Sequence, residues 1–365
     1  MKVSWTNRRS IKIGLRFVWA LLFAVLLFAI SLHQAGRPST TVTQTPSPAG
    51  PWQEIDRLVS EQKFEAALQQ VEKIRIAAQK RADNDEWTRA LIKEVQLRTG
   101  LHGYETAVRF LKEQPWPGAN LDRAVLNLFY ARSLVIYYQA YSWEINRRER
   151  VESRYPVDLK VWTRDQIYSE AQKSYTEVWK ERLALGREPV TRLAEYLETN
   201  NYPKGIRGTL RDAVTYLYVE LLADTSLWKP EETGDLYRVD LKALLAAPAT
   251  AARNMNAEAL LNPAIHPLVK IGHLLDDLEA WHAGGRRSEA ALEARLERLR
   301  RLHDSFTEPR DRALIRADLE QRLPAFRAVP WWAMGKATEA EFVRQSDAPR
   351  KLVRARAIAE EGWKA

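Results

Sequence analysis

From Trp52 onward the apolar residues return every three or four positions. Trp52, Ile55, Leu58 and Val59 begin the pattern, and Phe64, Ala67, Leu68, Val71, Ile74 and Ala78 line one side of the next stretch. Trp87, Leu91, Val95 and Leu97 do the same between Glu86 and Arg98, and Gly103 opens a further run, GYETAVRFLKE. This is the spacing of helices that each bury one face. It predicts further helices over 121–141, 164–185, 192–198, 209–222, 267–283, 288–304, 310–323 and 339–365. No stretch alternates in the manner of a strand. Residues 186–189 (GREP) and 200–208 (NNYPKGIRG) read as turns. Residues 228–264 carry Pro, Gly and Asn with broken periodicity and read as an irregular connection. The expected class is all-α.

The octets FEAALQQV from Phe64 and YETAVRFL from Tyr104 share an aromatic, a Glu, a small residue, an Ala and an apolar position, 40 residues apart. That order resembles the second helix of tetratricopeptide-like hairpins, where a small Ala lets two helices approach closely. The resemblance implies helical hairpin repeats forming an α-solenoid. The aromatic stretch YARSLVIYYQAYSWEINRRER fits inside such a stack. Leu126, Tyr130, Leu134, Tyr137 and Tyr141 make one stripe, while Leu128, Val135 and Tyr138 populate a second side. A helix that is apolar on two sides is covered on two sides, with the tyrosine hydroxyls bonded at the edges.

The scarcity of Gly (15 residues) and the abundance of Ala, Leu, Glu and Arg agree with helix. The formal charge is +9, but Lys2, Arg8, Arg9, Lys12 and Arg16 supply five of it, and beyond them the balance is 51 basic to 47 acidic residues. That excludes the basic footprint of a nucleic-acid binder. With no Cys in the chain, disulfides, thiolate metal sites and Cys nucleophiles are excluded as well. Phe17 to Leu32 is uncharged and apolar behind the basic flank, which predicts a transmembrane anchor within residues 1–35. A cleaved signal peptide is the alternative. A Pro/Ser/Thr-rich tether spans 36–51. Residues 52–227 form the helical repeat domain, 228–264 the connection and 265–365 a C-terminal helical segment. The expected location is the inner membrane, single-pass, with the body in the periplasm; after signal cleavage the body is secreted.

Few residues invite chemistry. His273 and Asp277 lie one turn apart in HPLVKIGHLLDDLEAWH, but no third metal ligand stands beside them, and a solvated face is the plainer reading. Arg147, Arg148, Arg150 and Arg154 interleave with Glu144, Glu149 and Glu152, which reads as a salt-bridged surface. Leu292, Leu296, Leu299 and Phe306 sit at heptad-like positions over too short a span for a coiled-coil dimer. No phosphate loop, dinucleotide fingerprint, nucleophile elbow or zinc-protease motif occurs. The expectation is no catalytic residue, no cofactor and no metal, with Trp331 and Trp332 in VPWWAMG as an exposed contact loop for a protein partner.

Three segments carry a second resemblance. They are Tyr130-Ala131, Tyr137-Tyr138, Trp143-Glu144-Ile145 and Arg147; then Val161-Trp162-Thr163 with Ile167, Glu170 and Tyr175; then Gly205 to Asp212 with Tyr216. In order and rough spacing they resemble the helical region that precedes the β-sandwich domains of large bacterial α2-macroglobulin-like proteins. The resemblance covers about residues 52–365 and is clearest over 121–223. It implies an exported, non-enzymatic part of a protease trap, with downstream macroglobulin domains as partners and proteases engaged indirectly. The thioester chemistry of that family needs a Cys, which this chain lacks, so none of the family's reactive residues is placed here. The final helix, ending in GWKA, leaves an apolar face uncovered, which reads as a chain that continues or is truncated. A self-contained tetratricopeptide-like adaptor for envelope proteins or peptides is the alternative function.

Overall fold

The computed structural model describes residues 50–152, 157–198, 200–246 and 256–364. The expected anchor, the tether up to residue 49 and Arg154 lie outside these. Sixteen α-helices and no strand occur among the described residues, as the periodicity predicts. None of these helices is long and apolar enough to cross a membrane.

The first four helices are α1 (Pro51–Ser60), α2 (Phe64–Arg81), α3 (Asn84–Gly100) and α4 (Tyr104–Glu113). Each packs on the next, and the turns between them share one geometry. Gln62, Ala82 and His102 are left-handed, with φ of 59°, 54° and 60°, at intervals of 20 residues. In each turn the following N–H reaches back five residues: Lys63 to the Leu58 carbonyl, Asp83 to Ala78 and Gly103 to Arg98, at 2.8–3.0 Å. This is the Schellman closure, which satisfies carbonyls the helix end would otherwise leave open. Phe64 and Tyr104 each start a helix directly after such a turn, so the 40-residue echo is a two-helix period.

The long α5 (Asn120–Ile145) is followed by α6 (Arg164–Lys180), the short α7 (Arg182–Leu185) and α8 (Leu210–Ala223). α6 and α8 both begin with reciprocal caps, Thr163 with Gln166 and Thr209 with Asp212, which stop the preceding loops at defined points. α5 is buried on two sides, as expected, with Tyr130, Tyr137 and Tyr138 all in the core. Their hydroxyls donate to Glu170 (3.4 Å), the Leu159 carbonyl (2.8 Å) and the Ser226 carbonyl (2.9 Å). Tyr141 departs from the stripe. Its backbone leaves helical geometry (φ −120°, ψ 20°) and its side chain is half-exposed.

Residues 228–246 hold α9 (Pro230–Gly234) and α10 (Leu241–Leu245), and α11 (Ala257–Leu261) follows; the connection expected at 228–264 is therefore partly helical. The last five helices are α12 (Pro267–Gly284), α13 (Ser288–Ser305), α14 (Pro309–Arg322), α15 (Trp332–Gln345) and α16 (Lys351–Trp363). α8 packs on α12, α12 on α13, α13 on α14 and α15, and α15 on α16. One continuous core runs from Leu91 to Phe342.

Two predicted helices change. Residues 192–198 form no α-helix: a 3-10 turn covers Val190–Leu193. The Val190 N–H donates to the Gly208 carbonyl and Leu210 donates to Glu188, so this backbone is tied to a neighbouring loop rather than to its own next turn. Residues 339–365 are two helices. Pro349 cannot supply the N–H a continuous helix needs, and Arg350 is left-handed with φ 52°.

Candidate functional site

The segment GIRGTLRD, residues 205–212, places three buried charged groups at the start of α8, and each is met by a helix of the C-terminal half. Arg207 adopts φ 53°, which turns its side chain inward. Its guanidinium donates to Glu293 at 2.7 Å and Glu297 at 3.0 Å, both on α13, and all three residues are at most 2% exposed. It lies over the rings of Tyr216, at 3.6 Å, and Tyr202, at 4.3 Å. Arg300 and Arg301 reach the same carboxylates. Burial pushes the Glu297 carboxyl up, but Arg207, Arg301 and Arg300 outweigh it and hold it at about 2. Glu297 is therefore ionised in the interior.

Arg211 donates to Asp277 on α12 at 2.6 Å, and Arg182 reaches the same carboxylate at 3.2 Å. Asp212 accepts from His282 Nε2 at 2.7 Å, while His282 Nδ1 accepts from Arg287 Nε at 2.9 Å. An Asp–His pair of this length is the skeleton of a general base, but catalysis needs the second ring nitrogen free to face a substrate. Here Arg287 occupies it, and both members of the pair are about 1% exposed. The arrangement bridges α8 to α12.

The metal reading of His273 and Asp277 fails on the same contacts. Asp277 is held by two guanidiniums, and among the described residues no group of three potential ligands stands together. The His273 ring is pushed below its ordinary pKa by burial and by Arg298, so it stays neutral at pH 7. The arginine-rich stretch after α5 also differs from expectation in one member. Arg147 lies over the exposed Trp143 ring at 4.0 Å and Arg150 is exposed, but Arg148 turns inward. It donates to the carbonyls of Leu159, at 2.6 Å, and Trp162, at 3.0 Å, and so fastens the loop before α6 to the end of α5.

Trp331 and Trp332 do not form an exposed contact loop. Trp332 is 4% exposed, because the helix it starts turns it into the core. Trp331 is half-buried, packs against Tyr202 and donates its indole N–H to Glu293 at 2.8 Å. It belongs to the Arg207 cluster. Replacing Trp331 with Phe keeps most of the ring and removes that donor to a buried carboxylate. The expected loss is about 1–3 kcal/mol in a urea titration, where an exposed contact residue would change by less than about 0.5 kcal/mol.

Two depressions mark the surface. An open one of about 390 Å³ lies between α1, α2 and α3, lined by Glu54, Lys73, Ile74 and Arg81 among others. A smaller one of about 100 Å³ lies between α14 and α15. None of the residues singled out from the sequence lines either, so the buried charge clusters and the surface hollows are separate features. Sequence reasoning missed Arg207, Arg211, Asp212, Glu293 and Glu297 as a set. The only local signal is a cluster of charges in the turn at 204–212, and their partners lie 66 to 90 residues further on. No family model matches the chain, and no curated protein or solved structure is significantly similar to it.

Proposed function

We propose that this chain is a non-enzymatic helical scaffold of hairpin-repeat type, the N-terminal part of a membrane-tethered protease inhibitor of the bacterial envelope that resembles the α2-macroglobulins. One observation carries the reading. The three segments that bear the resemblance spend their functional groups on packing: Tyr130 and Tyr137 on neighbouring helices, Trp162 in the core, and Arg207, Arg211 and Asp212 on α12 and α13. Groups arranged for catalysis would face a cleft; these face one another. The turns recurring every 20 residues through α1 to α4 support the hairpin-repeat part. Mechanically, such a body keeps a fixed shape between a membrane tether and partner domains, and the buried ion pairs lock its halves together.

A self-contained adaptor is the second reading, favoured by the open depression on α1 to α3, where an extended peptide has room. Sequencing the transcript past codon 365 separates the two. The scaffold reading expects an open frame leading into strand-rich sandwich domains. A stop codon there, with stable protein of this length in the cell envelope, overturns it in favour of the adaptor.

A further inference from the structure

α16 is seated firmly on one side and left open on the other. Its inward positions are small: Ala355 and Gly362 are its buried residues. A methyl group at Gly362 would meet the Lys336 Cβ at 2.7 Å, so the two helices are in close contact and α16 cannot roll. Its apolar residues therefore stay outside. Leu352 is 66% exposed, Val353 67% and Trp363 87%. Leu352, Ala359 and Trp363 follow one another at seven and four residues, so they share a flank.

The charges around that flank are of one sign. Arg350, Lys351, Arg354 and Lys364 make no ion pair among the described residues. The two acids of the helix are already neutralised, Glu360 by Arg356 at 2.7 Å and Glu361 by Lys336 at 3.0 Å. A second copy of this positively charged chain would bring like charges together on the same face. Neither surface depression borders α16, so no groove is ready to take a protruding side chain. An open strip of Leu, Val and Trp edged by unpaired cations matches a flat, soft, anionic surface, with the apolar side chains entering the headgroup boundary and the cations meeting lipid phosphates.

We propose that the outer flank of α16 is a docking surface for an anionic phospholipid bilayer. The proposal names a contact the scaffold reading leaves open, and its test does not depend on what lies beyond codon 365. The absence of Cys allows a single reporter. The full chain carrying Ala359→Cys is labelled with a polarity-sensitive fluorophore and mixed with vesicles of phosphatidylcholine alone or with phosphatidylglycerol. A second reporter at Gln69→Cys, exposed on α2, serves as the reference position.

The expected result is a blue shift at 359, absent at 69, with the phosphatidylglycerol vesicles only, reversed by high salt. Reversing Arg350 and Arg354 to Glu should weaken the response on the order of 30-fold or more. An unchanged probe with both vesicle types overturns the proposal. So does an equal response to both compositions, which removes the anionic recognition. So does a probe already dry before vesicles are added, which would mean that a protein surface covers the flank.

Discussion

Replacing Arg207 with Ala is expected to lower the unfolding free energy by about 3–5 kcal/mol at pH 7, the cost of leaving buried carboxylates without their partner. Glu293 and Glu297 stay in the interior at 0% and 1% exposure, with Arg300 and Arg301 as their remaining cations. The rings of Tyr202 and Tyr216 lose the guanidinium that lies over them. Urea midpoints followed by circular dichroism give the number. A change below about 1 kcal/mol would mean that Arg300 and Arg301 neutralise the pair unaided, and that the clamp between the α8 loop and α13 is not what holds the halves together. The same cluster sets an acid limit. Glu297 has a folded pKa of about 2 against an ordinary value of 4.5. Its contribution is complete above pH 4.5 and is lost as pH falls through 2.

Glu220 behaves in the opposite sense. It lies on α8 near the same charges. Burial raises its carboxyl to about 7, with Glu297 adding to the rise and Arg301 opposing it. Between pH 4.5 and 7 the folded protein holds a proton that the unfolded chain has released. Its contribution is therefore complete below 4.5 and is lost as pH rises through 7. Glu220→Gln keeps the shape of the protonated acid without the charge. The variant is expected to match the parent at pH 4.5 and to exceed its stability by about 2–3 kcal/mol at pH 8. His303 opposes this trend in the raw profile. Burial and Arg312 depress its ring to about 4, so its contribution is full above pH 6.5 and is lost as pH falls through 4. The difference between variant and parent cancels His303 and isolates Glu220. An equal gain at both pH values would show that the acid is ionised throughout.

Helix formation was legible in the chain because its causes are local. Apolar residues three and four apart predict buried faces, and α2, α3, α5, α6, α8, α12, α13 and α14 all lie where that spacing indicates. The two-sided apolarity of α5 also identified Tyr130 and Tyr137 as core, since a helix with two apolar sides has to be covered twice. The 40-residue echo was visible for the same reason: it is written in neighbouring side chains.

What escaped the sequence depends on groups brought together only by folding. The turns after α1, α2 and α3 use Gln62, Ala82 and His102 in a left-handed conformation that ordinarily advertises itself with Gly; carbonyl closure and packing of the flanking helices hold these residues there. The inward turn of Arg148, and the burial of Trp332 with Trp331 bonded to Glu293, follow from which helix lies opposite. The pairing of Arg207 with Glu297 spans 90 residues, and Arg211 with Asp277 spans 66. Charge alone marks such residues as surface; tertiary packing makes them interior, because a buried ion is tolerated only where another segment delivers its counter-ion. The sequence by itself determined that this protein is built of helices and where most of them run. The tertiary structure alone decided which charges hold those helices together and which apolar flank remains open to a partner.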